Sequence, residues 1–315
     1  MGGNVFDLTK PIKKENIEPT LSKFMEELSR IFPGAKKHFK DIRRLGSVGK
    51  KDISGDIDLA ISEDSFKDIK EWDLDEKHIK ELFDGFKKRS KSATDQQIMK
   101  RAILVALSEK IEEKGKDIHF DTKGTGGGSL FFAFPQYEGN KKTNEWVQID
   151  LNTGNIDWLD FAYYSDVYKG NVKGLHRTQL MLSLFSNKGY TFSHNYGVKN
   201  KETQEITAKN PKEAIDLLNK LYGFNIDKTI LTNYFKMQEF LKKNLSEEEL
   251  NKIYDIYLKI LDSTRADIPE DLQEYWIKNQ KRLGLKGKFL PTNSNLIKYK
   301  TESVGFIDIY YEEMI

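Results

Sequence analysis

Hydrophobic and polar positions recur with two different periods along this chain, and each change of period marks a new element. Between Ile17 and Phe32 the apolar residues Leu21, Phe24, Leu28 and Ile31 return every three or four positions, which predicts a helix that Pro33-Gly34 ends. From Asp56 to Ile61 the period drops to two. Ile57, Leu59 and Ile61 share one face of a predicted strand, with Asp56, Asp58 and Ala60 on the other. Gln97 to Lys114 returns to helical spacing, with Ile98, Ala102, Val105 and Ile111 near one stripe. Two more strands follow, Leu130 to Phe134 and Trp146 to Leu151, joined through a polar turn across Gly139 to Lys142. The second alternates cleanly, with Val147, Ile149 and Leu151 on one side and Trp146, Gln148 and Asp150 on the other.

Past Lys209 the pattern is helical. Asn210-Pro211-Lys212-Glu213 supplies a cap, a proline at the first helical position and an acidic third residue, ahead of an apolar run that Gly223 closes. Ser246 with Glu249 is a second capping box, opening a helix through Ile253, Tyr257, Ile260 and Leu261. No repeat or low-complexity tract interrupts this order. The expected class is α+β, a mixed α/β region over residues 1–205 followed by a mainly helical region over 206–315.

Composition changes the picture in three places. Hydrophobic residues at 38% of 315 allow a sizeable core. With 51 basic against 49 acidic side chains the net charge is only +2, so local patches decide whether nucleic acid is a partner. The absence of cysteine excludes disulfides and thiolate zinc sites, and none of the five histidines pairs with another at helical spacing, which leaves oxygen ligands for any metal. No apolar run approaches the roughly 20 residues of a membrane span, and the Met1–Asn4 start lacks a basic-then-apolar segment. A cytoplasmic protein with no membrane partner is expected.

The chemistry concentrates between Leu45 and Ser62, LGSVGKKDISGDIDLAIS. Aspartates two apart on a strand point the same way, so Asp56 and Asp58 can both reach divalent cations. Mg²⁺ takes carboxylate oxygens and needs few of them, because phosphates and water supply the rest. The small Gly46-Ser47 turn lets backbone N–H groups and a hydroxyl approach phosphate, and Lys50 and Lys51 add positive charge there. These are the parts that metal-dependent transfer from a nucleoside triphosphate requires.

This stretch resembles the signature of the DNA polymerase β-type nucleotidyltransferase superfamily: hydrophobic-Gly-Ser, a spacer, then Asp-hydrophobic-Asp-hydrophobic. Leu45-Gly46-Ser47 match the first part and Asp56-Ile57-Asp58-Leu59 the second, with Ser54-Gly55-Asp56 closest to family X DNA polymerases. The spacer Val48–Gly55 is a little shorter than the family's, and the resemblance spans about Arg43 to Asp166. It implies a nucleotidyltransferase palm (a mixed sheet with flanking helices), Mg²⁺ or Mn²⁺ as cofactor, and an NTP as substrate. Asp56 and Asp58 would hold both metals. The superfamily places a third carboxylate on a neighbouring strand, for which Asp150 is the candidate and Asp121 and Asp157 are rivals in less regular surroundings. Phe161-Ala162-Tyr163-Tyr164-Ser165 is similar to the aromatic pair that meets the nucleotide sugar in family X polymerases, which adds Tyr163 and Tyr164 as nucleotide-binding candidates. The helix-hairpin-helix segments and lyase-lysine region of those polymerases are not visible.

Other candidates stand beside their plainer readings. Arg177, in a predicted helix, is a candidate triphosphate contact or else a surface arginine. Gly124 to Gly128 reads as a turn, since no Lys-Ser/Thr helix start follows it. Lys278 to Lys300 carries no acid, and Lys281, Arg282, Lys286 and Lys288 with Phe289 and Tyr299 nearby suit nucleic-acid contact; a solvated face is the alternative. Lys87 to Lys91 forms a second basic run.

The expected function is transfer of a nucleoside monophosphate to an acceptor hydroxyl, first of all the 3′ end of RNA such as tRNA, without a template. A minimal family X-like DNA polymerase, transfer to a protein or small molecule, and a scaffold that has lost the chemistry are the alternatives. A phage- or virus-encoded branch acting in the host cytoplasm is the expected source.

Overall fold

The computed structural model describes residues 5–90, 93–168 and 170–285. Strand β1 (Ile12–Lys13) runs straight into helix α1 (Lys14–Ile31), whose Ile17, Leu21, Phe24, Leu28 and Ile31 are all buried. Strands β2 (Arg43–Arg44), β3 (Ile53–Ser54) and β4 (Ile57–Ser62) follow, then helices α2 (Glu76–Arg89) and α3 (Asp95–Lys114). Thr94 and Gln97 close a capping box at the start of α3, satisfying donors that an open helix end would leave without partners. The buried stripe of α3 includes Leu104 and Leu107 besides Ile98, Ala102 and Ile111, whereas Val105 is only half-buried.

Strands β5 (His119–Asp121), β6 (Ser129–Glu138) and β7 (Lys141–Gly154) complete a five-stranded sheet in the order β2-β4-β7-β6-β5. Only β4 and β7 run parallel; the other neighbours are antiparallel, so the sheet is mixed as expected. Gly139-Asn140 make the tight β6–β7 turn, Gly139 supplying the positive φ of +58° that such a turn demands. One face of the sheet packs on α1, where Phe24 meets Phe132 and Phe134 edge-on at centroid distances of 5.3 and 5.4 Å.

The chain continues through α4 (Ile156–Ala162), α5 (Gly174–Asn187) and a small antiparallel sheet of β8 (Tyr190–Ser193), β9 (Gly197–Asn200) and β10 (Ile206–Ala208), ordered β10-β9-β8. Helices α6 (Pro211–Tyr222), α7 (Lys228–Leu231), α8 (Tyr234–Asn244), α9 (Glu247–Thr264) and α10 (Gln273–Leu283) follow. The expected caps are present. Asn210 accepts from the Glu213 N–H, Ser246 from the Glu249 N–H, and Gly223 closes α6 at φ +68°.

Apolar packing divides elsewhere than at the expected 205/206 boundary. One buried cluster joins α1, α3, β4, β6 and β7, among them Phe24, Leu107, Ile57, Phe132 and Ile149. A second begins at Trp158 and runs to Trp276, so α4, α5 and β8–β10 share their core with the C-terminal helices. The reason is the apolar face of α5, whose Leu180, Leu184 and Phe185 are fully buried in that second cluster. Between the two lies a small cluster of Leu45, Ala60 and Leu159, at the site described next.

Candidate active site

Strands β4 and β7 are apolar on one face and polar on the other. Ile57, Leu59 and Ile149 are at most 1% exposed beneath the sheet. The opposite face therefore carries Asp58 and Asp150, which the parallel register sets directly against each other. Asp56, two residues before Asp58, joins them. One oxygen from each of the three half-buried carboxylates lies within 4.8 Å of the others, and among the described residues no second group of acids or histidines converges in this way.

The Gly46-Ser47 turn is held against this cluster. The Leu45 N–H donates to the Asp58 carbonyl oxygen at 2.8 Å, and the buried Leu45 and Val48 anchor the turn on either side. Gly46 has φ +64°, a conformation that costs an L-residue about 1–2 kcal/mol. A Cβ there would stand 3.6 Å from both Asp58 Oδ2 and the Tyr163 carbonyl oxygen, so the turn lies against the carboxylate itself. Ser47 is half-buried beside it. Lys50 Nζ donates to the Ser165 carbonyl at 2.7 Å and lies 4.7 Å from the Tyr164 ring centroid, tying the turn to the segment after α4. Lys51 is exposed.

Electrostatics sets this cluster apart from a solvated strand face. Burial pushes the Asp58 carboxyl well above the usual carboxylate range, and the charges of Asp56 and Asp150 push it further, against a hydrogen bond from Asn152. Asp150 is raised to about 7, chiefly by burial; a hydrogen bond from Gln148 opposes the rise and Asp56 adds to it. Like charges gathered at low dielectric are costly unless protons or cations compensate. Three converging oxygens from hard carboxylate donors suit Mg²⁺ or Mn²⁺, which leave further positions to phosphate and water. The residues present fit the metal that the sequence implied.

Behind the carboxylates stands a polar wall in which the candidate Tyr163 meets Asn152, Asn195 and Ser129, residues that sequence reasoning had not singled out. Tyr163 Oη lies 2.8 Å from Asn152 Oδ1 and 3.2 Å from Asn195 Oδ1. Ser129 Oγ donates to Asn152 Oδ1 at 2.6 Å, and Asn195 Nδ2 donates to the Gly127 carbonyl and to Ser129 Oγ. Asn152 Nδ2 reaches the Leu59 carbonyl, bridging β7 to β4. Gln148 donates through Nε2 to Asp150 Oδ1 at 2.8 Å. Gln148 and Asn152 sit two positions either side of Asp150, so alternation alone would have put them on its face. Ser129 and Asn195 arrive from distant segments and carry no local signal.

The structure separates the remaining candidates. Tyr163 joins the site through its hydroxyl network, and burial followed by the Asp58 charge raises its phenol well above the ordinary value. Tyr164 is half-buried under Lys50. Arg177 is not at the site: it is fully buried, and its guanidinium donates to the carbonyls of Phe161, Ala162 and Leu231. It closes the end of α4, because burial of a charge demands such partners. Of the rivals to Asp150, Asp121 lies on β5, separated from Asp150 by Phe131 in the same row, and Asp157 is exposed on α4. Arg282 is held in a bidentate pair by Asp255 at 2.7 and 2.8 Å, and Lys281 lies beside it on α10. Lys286 and Lys288 lie outside the described residues, as does Lys91 of the second basic run. Gly124–Gly128 is a turn, and the Gly128 carbonyl takes both the N–H and the hydroxyl of Thr153.

No family model matches the sequence, and no curated protein matches it. Among solved structures, the chain is similar to the ternary P/T complex of Leishmania infantum polymerase beta. Identity is 13% and the TM-score 0.38, over 72% of this chain and 77% of that one. Among the described residues, no helix is long and apolar enough to cross a membrane.

Proposed function

We propose that this chain is a metal-dependent nucleotidyltransferase that moves a nucleoside monophosphate from an NTP to an acceptor hydroxyl. One observation carries the reading: three carboxylates converge within 4.8 Å directly against a glycine-serine turn. Asp56 and Asp58 would hold both divalent ions, with Asp150 completing the ligands on the acceptor side. Bound there, the ions neutralise triphosphate charge and make the acceptor hydroxyl more acidic. The chain's own contribution is placement. Backbone N–H groups of the Gly46-Ser47 turn and the Ser47 hydroxyl meet phosphate oxygens, with Lys50 and Lys51 as nearby positive charge. Tyr163 and Tyr164 border the nucleotide on the α4 side.

We propose an RNA 3′ end as the acceptor, on the strength of the basic segment from Lys278 to Lys300, in which Asp255 already engages Arg282. We assign residues 206–315 to acceptor binding and the preceding residues to catalysis.

Three acceptor pools separate the alternatives: total tRNA, primed DNA with and without template, and protein alone. Each is incubated with Mg²⁺ or Mn²⁺ and each labelled NTP in turn, beside Asp56→Ala. Label on RNA or single-stranded ends that the variant cannot add supports terminal transfer. Template-dependent extension moves the assignment to a small DNA polymerase, and labelled protein to protein modification. Equal labelling by parent and Asp56→Ala overturns the assignment.

A further inference from the structure

A strap of chain from Val5 to Lys13 bonds to residues next to Asp150 and to Asp56 without contributing a carboxylate. At its start the Val5 N–H donates to Gln148 Oε1 at 2.9 Å, and the other end of the same amide donates to Asp150 Oδ1 at 2.8 Å. The orientation of this amide follows from its partners: a carboxylate only accepts and a backbone N–H only donates, so Oε1 must face Val5 and Nε2 must face Asp150. Gln148 is 3% exposed, so water offers neither atom a ready substitute.

The strap is then pinned along its length. Thr9 bridges to Trp146, the Lys10 N–H donates to the Trp146 carbonyl at 2.7 Å, and the buried Gln136 amide reaches the carbonyls of Lys10 and Pro11. At its far end β1 pairs antiparallel with β3, Ile12 opposite Ser54, two residues before Asp56. The Lys14 N–H adds a bond to the Asp52 carbonyl at 2.8 Å. One segment thus fixes the chain that leads into Asp56 and, through one glutamine, the orientation of Asp150.

We propose that Gln148 is a positioning residue for the metal site and that the Val5–Lys13 strap sets it, so the strap determines how well the three carboxylates hold a divalent cation. This rests on the metal-site reading above. Partners that orient metal ligands commonly change metal affinity by about 10–100-fold when removed. The strap offers a handle on that affinity outside the cluster, because its donor is a backbone N–H that a proline lacks.

The test is direct Mn²⁺ binding to the full-length protein, followed by the Mn²⁺ signal lost on binding, for the parent, Gln148→Leu, Val5→Pro, Val5→Ala and Asp150→Ala. Val5→Ala keeps the donor and should bind as the parent does. Gln148→Leu should weaken binding about tenfold, and Val5→Pro should weaken it in the same direction by less. In transfer assays both should raise the Mn²⁺ concentration for half-maximal rate while leaving kcat at saturating Mn²⁺ near the parent's, a split that general destabilisation would not produce. If Asp150→Ala weakens binding while Gln148→Leu and Val5→Pro bind like the parent, the positioning role is overturned and the metal site stands. If the parent itself takes up no Mn²⁺, both are overturned.

Discussion

Asp58 and Asp150 are register partners across the parallel pair of β4 and β7, so two half-buried carboxylates share one row of the sheet. A row of this kind works against the fold. Each group is driven toward its protonated form by burial and by its acidic neighbours, and nothing in apolar packing requires either one. Substituting Asp58 by the isosteric Asn should therefore lower transfer by more than about a hundredfold while leaving the melting temperature unchanged or higher. Calorimetry beside a labelled-NTP assay checks both. A variant that loses transfer only because it unfolds would count against a catalytic role.

Gly46 is held at φ +64° against Asp58 Oδ2. Gly46→Ala should cost about 1–2 kcal/mol of stability in urea unfolding. It should also raise KM for NTP, because a β-carbon is strained at this φ and relieving that strain moves the N–H groups of the turn.

Arg177 should behave as a structural residue. Replacing it by Ala leaves the carbonyls of Phe161, Ala162 and Leu231 without their donor in the core, which should cost about 3–5 kcal/mol. Below the variant's melting temperature its KM for NTP should match the parent's; a large selective rise in KM would return Arg177 to the nucleotide.

His176 should make the protein acid-sensitive. Its Nδ1 accepts from the Lys173 N–H at 2.8 Å and its Nε2 donates to the Asp267 carbonyl at 2.9 Å, an arrangement only the neutral ring can make. Burial lowers its pKa from 6.5 to about 4. A depressed folded-state value means that the unfolded chain takes up the proton first. The stabilisation is whole above about pH 6.5 and drains away as pH falls toward 4, up to about 3 kcal/mol in all. The pH dependence of unfolding free energy, parent against His176→Gln, should show a shallower slope for the variant across that window.

Neutralising Lys281, Arg282, Lys286 and Lys288 together should weaken nucleic-acid binding and flatten its salt dependence. The share of Arg282 in that effect should be small, because Asp255 already holds its guanidinium in a bidentate pair. Unchanged binding in a filter assay across a salt series would make the segment a solvated surface.

Much of the fold is local and could be read along the chain. The period of two from Asp56 to Ile61 and from Trp146 to Leu151 reappears as β4 and β7, with the aliphatic faces buried. The caps at Asn210 and Ser246 open helices where their side chains can reach backbone donors. What misled was nonlocal. Nothing in the neighbourhood of α5 says which core its apolar face will join, and it joins the one that begins at Trp158. Arg177 looked free to meet phosphate because its carbonyl partners come from two other segments.

The sequence by itself determined which side chains share a face, because backbone geometry alternates side chains along a strand whatever the rest of the chain does. It therefore determined that Asp56 points with Asp58, and Asp150 with Gln148 and Asn152. Which faces meet was decided only by tertiary structure. The β4–β7 pairing sets Asp58 against Asp150, and the approach of Asn195, Ser129 and the Val5–Lys13 strap supplies the bonds around them. Pairing register and long-range hydrogen bonds depend on the packing of the whole apolar core, and no window of sequence contains that information.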